Sequence, residues 1–163
     1  MRGNKGAIAI VILLMASSCA EKISVESTSL PPSEGPKTVE LCSRMGVGVV
    51  DGYFSPHGSD IRRLEDKLPG MFRWSSSTRP PKGLNDYGRQ YIGYVREGRR
   101  VVYVQFLPIG VLKEPEFSEW RNRFIDVCDG GANFWSAHFD LESEAFFGIN
   151  SNAGRDFWNP SSD

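Results

Sequence analysis

RQYIGYVREGRRVVYVQFL, residues 89–107, is the stretch on which the fold turns. Two runs of β-branched and aromatic residues flank Glu97-Gly98, the signature of two strands joined by a tight turn. Side chains alternate across a strand, so Tyr91, Val95, Val102, Val104 and Phe106 share one face. Ile92, Tyr94, Val101, Tyr103 and Gln105 take the other. The first face is the more apolar and is expected to be the core side.

Downstream, residues 124–128 and 133–140 read as strands separated by Asp129-Gly130-Gly131, and residues 145–149 follow a turn near Glu142-Ser143. Upstream, residues 45–53 (MGVGVVDGY) alternate valine and glycine and read as a strand closely approached on one face. Two short helices are expected. In residues 59–68, Ile61, Leu64 and Leu68 fall at helical spacing, Asp60 and Lys67 complement the helix dipole, and Pro69-Gly70 supplies a stop. In residues 115–124, Phe117, Trp120 and Phe124 share a face behind Pro115. Residues 75–87 (SSSTRPPKGLNDY) read as an exposed loop. The fold class is α+β, an antiparallel meander with two short helices. One domain over residues 41–158 and a short tail at 159–163 fit this length.

The chain opens with Arg2 and Lys5 ahead of the apolar run AIAIVILLM, residues 7–15. That run is shorter than the roughly 20 residues a membrane-spanning helix needs. A positive start, a short apolar segment and then small residues form the pattern of an export signal. The small residues are Ala16, Ser17 and Ser18, and Cys19 follows directly.

These residues resemble the lipobox of bacterial lipoproteins, with Ala16 where that family prefers leucine. The resemblance covers the first 19 residues alone. It implies a signal peptide over residues 1–18, fatty acylation of Cys19, and attachment to the membrane through lipid rather than through protein. Ala20, where an aspartate would hold an enteric-type lipoprotein at the inner membrane, implies the outer membrane facing the periplasm. Several acyl chains on one residue would make that attachment effectively permanent. Residues 19–40, rich in Ser, Pro, Glu and Thr, are expected to be a flexible tether with a mean reach of roughly 25 Å.

Lipidation of Cys19 would leave Cys42 and Cys128 as a pair. In an oxidising periplasm two spare thiols are expected to form a disulfide, the alternative being two separately buried thiols. Loss of Arg2 and Lys5 leaves 17 basic residues against 20 acidic ones, a formal charge near −3. That balance speaks against nucleic acid, whose binding needs a basic face.

No GxSxG elbow surrounds any serine, and the cysteine spacing suits neither a CxxC redox motif nor a zinc site. Asp129-Gly130-Gly131 lacks the dense oxygen ligands of a calcium loop and reads as a turn. His138 reads as a structural histidine and His57 as a loop residue. No catalytic, metal or cofactor residue is assigned. The aromatic density near the C-terminus has two readings: core packing, or a surface for an envelope protein or glycan. On the second reading that surface comprises Trp135, Phe139, Phe147, Asn150, Asn152 and Trp158. The function expected is a non-enzymatic, lipid-anchored binding or accessory module of the cell envelope. The alternative is a periplasmic hydrolase with His57 or His138 beside Asp51, Asp129 or Asp140.

Overall fold

The computed structural model describes residues 26–71 and 82–152. Cys19 and Trp158, and the first part of the expected loop, lie outside the described residues. Among the described residues six strands form one mixed sheet: β1 (Ser27–Ser29), β2 (Gly52–Phe54), β3 (Tyr87–Arg96), β4 (Arg99–Pro108), β5 (Trp135–Asp140) and β6 (Ala145–Ser151). The strand order is β1-β3-β4-β5-β6, with β2 also pairing to β3. One helix, α1 (Gly58–Met71), crosses one face. The α+β class stands, with a single parallel pairing, β1 to β3, added to an otherwise antiparallel sheet.

The hairpin forms in the expected register, with Arg96 opposite Arg99. Glu97 and Gly98 both take positive φ, 52° and 74°, the mirror-image turn whose twist matches that of paired strands. Gly98 enters that region without steric cost, which offsets the strain at Glu97. Helix α1 starts where Asp60 reaches back to accept the His57 backbone N–H at 3.2 Å. It runs past the expected stop to Met71, with Pro69 inside its last turn.

Both faces of the hairpin are core, which corrects the one-sided expectation. On the first face Ile61, Leu64 and Leu68 of α1 pack over Tyr91, Val102, Val104 and Phe106. On the second, Ile92, Tyr94, Val101 and Tyr103 are covered by Leu30, Val47 and Phe124. Gly93 lets the Phe54 ring of β2 lie flat on the first face; a Cβ there would sit 2.4 Å from that ring.

The cover of the second face comes from segments that make almost no regular structure. Residues 26–40, expected within the tether, belong to the fold. Leu30 is fully buried, its N–H bonds Tyr91 O at 2.9 Å, and a 3-10 helix runs over Pro32–Thr38. Pairing to β3 satisfies backbone groups that the polar composition suggested would stay in water. Residues 45–51 are irregular; only Gly52–Phe54 pairs as a strand. Residues 115–124 form a 3-10 turn at Pro115–Phe117 followed by turns, and residues 124–128 form no strand.

Two glutamines explain how that irregular stretch is held. Gln90 and Gln105 stand opposite each other on β3 and β4, both buried. Gln90 donates to Trp120 O and Arg123 O and accepts the Ile125 N–H at 3.1 Å. Gln105 donates to Gln90 at 3.3 Å and to Ile125 O, and accepts Arg44 Nη2 at 2.8 Å. The side-chain amides serve as the hydrogen-bonding partners that a neighbouring strand would otherwise supply.

Cys42 and Cys128 form a disulfide with Cα atoms 5.2 Å apart, closing a sequence separation of 86. Asp126 reinforces the same junction, accepting the Cys42 N–H at 3.2 Å and lying 3.8 Å from Arg44.

Gln105→Ala should destabilise the fold by about 2–4 kcal/mol, because it strands the buried Arg44 donor and the Ile125 carbonyl together. Urea denaturation of wild type and variant under non-reducing conditions measures this. Replacing both Cys42 and Cys128 by serine should cost up to about 4–5 kcal/mol, the loop-closure entropy returned to the unfolded chain. Equal urea midpoints for the double variant and the oxidised wild type would contradict it.

Candidate functional site

At the end of the sheet where the β3–β4 and β5–β6 turns project side by side, a shallow open cleft of about 320 Å³ lies on the second face. Tyr94, Val101, Asp140 and Ala145 stand in one row across four strands and form its floor. Arg96 and Arg99 make the next row outward, and Phe147 closes the inner side. Glu97 and Ser143, from the two turns, form the rim.

Most polar groups of the floor are committed to the protein. Asp140 accepts the backbone N–H groups of Glu142 and Ser143, each at 2.9 Å, and pairs with Arg99 at 2.7 Å. Burial pushes this carboxyl up, but the two N–H bonds and the Arg99 cation prevail and hold it below its ordinary range. Arg96 is different. Its guanidinium lies 5.4 Å from the centre of the Tyr94 ring, and no carboxylate among the described residues pairs with it.

His138 lies directly inside this wall. Tyr94 Oη and His138 Nδ1 are 2.9 Å apart. The imidazole stacks on Phe147 with ring centres 5.1 Å apart and meets Tyr94 and Tyr103 edge-on. Burial, and secondarily the Arg96 cation, push its pKa from 6.5 down to about 3. It is therefore neutral at physiological pH, and burial likewise raises the Tyr94 phenol. The hydrogen bond the hydrolase alternative wanted with a carboxylate goes to a tyrosine. Asp51 spends a carboxylate oxygen on the Gly98 N–H at 3.3 Å, Asp129 is exposed, and the exposed His57 starts α1.

The expected aromatic surface is largely interior. Trp135 is 3% exposed and stacks on Phe106, while Phe139 is fully buried against Phe146. Asn150 is 5% exposed, accepting from Ser136 at 3.4 Å and donating to Gly148 O at 2.9 Å. Asn152 is half-buried and donates to Val127 O. Of the described residues of that set, Phe147 alone lines the cleft. The cause is coverage of both faces of β5, together with a bulge. Between Ser136 and His138 the register shifts, so Phe147 and Asn150 share a face although three residues apart. Gly148 takes φ 57° there, with the His138 ring against it.

A second buried constellation escaped the sequence. Arg89 is 2% exposed, and its Nε lies 3.0 Å from Glu65 Oε1 of α1, an ion contact without the alignment of a hydrogen bond. Tyr91 Oη donates to the same oxygen at 2.6 Å. Burial raises the Glu65 carboxyl above its ordinary value against the opposing pull of Arg89 and Tyr91. This group ties α1 to the sheet. Its only trace in the sequence is Arg89 alternating with core residues, an inward charge that needs a partner.

No family model matches the chain, no curated protein matches its sequence, and no solved structure matches its fold. Among the described residues no group of three or more His, Cys, Asp or Glu side chains is placed to hold a metal ion.

A neutral buried histidine fixes the sign of one pH dependence. The unfolded chain binds a proton near pH 6.5 and the folded one only near 3, so stability is full above 6.5 and falls as pH drops through that window. The slope should be about 1.4 kcal/mol per pH unit from this residue. Urea midpoints of wild type and His138→Gln between pH 7 and pH 4 should converge on acidification, and parallel curves would refute it.

Proposed function

We propose that the chain is a lipid-anchored cell-envelope protein, acylated at Cys19 and held at the outer membrane facing the periplasm. Its domain serves there as a non-enzymatic binding or accessory module for an envelope protein or glycan. The observation that carries the binding reading is the cleft at the turn end of the sheet. It offers one guanidinium without a carboxylate partner among the described residues and a half-buried aromatic, while the titratable groups behind them are tied up in fixed internal bonds. Such a surface suits holding a ligand better than moving protons through a reaction.

The Cys42–Cys128 disulfide supports export, since such bonds persist in oxidising compartments. No helix among the described residues is long and apolar enough to cross a membrane. With residues 26–40 docked on the sheet, only residues 19–25 would separate lipid from domain. Even a fully extended chain of that length spans at most about 25 Å, so the domain would work close to the headgroups.

Two measurements test this. Cys19→Ala should move the protein from the membrane fraction to the soluble fraction, and unchanged fractionation would defeat the anchor. A photo-crosslinking residue at Ala145 in living cells should capture a discrete envelope component, and one at exposed Lys113, at the opposite end of the sheet, should not. Equal labelling from both positions would remove the cleft from the binding reading.

A further inference from the structure

We infer that the cleft takes an acidic sugar, a single pyranose-sized ring whose carboxylate is held by Arg96. This rests on the binding-module reading and adds the ligand's chemistry to it. The charge pattern comes first. Two guanidinium groups line the cleft; Arg99 is neutralised by Asp140 at 2.7 Å, and Arg96 has no carboxylate partner among the described residues. Arg96 is half-buried over the Tyr94 ring and also close to Gly48, where an added Cβ would sit 3.6 Å from Nη2. A cation so enclosed has given up part of its hydration, and a planar carboxylate matches its fork of donors.

The walls specify what the carboxylate is attached to. Phe147 is held in place by stacking on His138, and Val101 and Ala145 extend its apolar surface along the floor. That wall suits the C–H face of a sugar ring. On the rim, the Ser143 hydroxyl can donate and accept, and the Glu97 carboxylate, exposed at the turn apex and without an ion pair among the described residues, can only accept. A ligand meeting Glu97 must therefore bring hydroxyl donors, and a multiply charged anion would be repelled there. A cleft of about 320 Å³ lies at the small end of small-ligand sites, room for one ring rather than an extended chain.

The enclosed aromatic rings provide the readout. Arg96 is the charged group whose field reaches His138, so an anion seated on it should shift the ring resonances of His138, Tyr94 and Phe147 together. The full-length protein in detergent solution would be titrated by NMR with galacturonate, galactose and inorganic phosphate in turn. Support is saturable movement of those three rings with galacturonate, little with galactose or phosphate, and binding weakened about tenfold to a hundredfold in Arg96→Gln. Unliganded Arg96→Gln should keep the Tyr94 and Phe147 signals of a folded protein, since its side chain lies outside the core. Equal response to galactose, an equal or stronger response to phosphate, or undiminished binding by Arg96→Gln overturns the inference. So does silence with all three probes, which leaves the envelope-binding reading to its own crosslinking test.

Discussion

The paired amides of Gln90 and Gln105 are the constraint on which the rest of the fold depends. They sit on adjacent central strands, buried among tyrosine, valine and phenylalanine, where an unsatisfied amide would cost a few kcal/mol. Their bonds go outward, to the backbone of residues 120–125 and to Arg44. A segment without helix or strand thereby becomes a fixed lid on the second face. Each side satisfies the other: the amides lose their desolvation penalty and the irregular backbone gains hydrogen-bond partners.

Once that lid is in place, the remaining contacts follow. Phe124 is delivered over Tyr103, with ring centres 6.1 Å apart, and the Phe124 N–H meets the Glu34 carboxylate at 2.7 Å. That bond joins the lid to the N-terminal 3-10 helix. Asp126 and the disulfide close the junction between residues 42–44 and 126–128. The second face is thus covered by two irregular segments clasped to each other, and the first by a single amphipathic helix. The cover stops short of the turn end of the sheet, and the cleft is the part of the second face that it leaves open.

The cleft inherits its character from this arrangement. Its back wall belongs to the core, so His138 and Tyr94 are desolvated and rigid, while its outer rows carry the arginines that flank a tight turn. One arginine is absorbed by the Asp140 turn; the other lies over an aromatic ring with no carboxylate partner among the described residues. The boundary between buried aromatics and exposed charge runs through this site, which is where selective recognition of a small polar ligand is physically easiest.

The sequence by itself determined the hairpin, α1 and the β5–β6 pair, because each rests on local periodicity or turn chemistry, whereas the Cys42–Cys128 pairing stood beside the alternative of two separate thiols until the structure joined them. The turn at Glu97-Gly98 and the Ile61-Leu64-Leu68 stripe were readable without knowing what they packed against. Tertiary structure alone decided that residues 26–40 join the sheet, that residues 118–128 are neither helix nor strand, and that Trp135 and Phe139 are interior. In each case a partner distant in sequence supplied the hydrogen bonds or the burial, and local propensity carries no record of it. The bulge at Gly148 is the sharpest instance. Phe147 keeps its pairing with His138 on the cleft side, and the extra residue beyond it turns Asn150 onto that same face, buried beside Ser136, a change that alternation counted along the strand cannot anticipate.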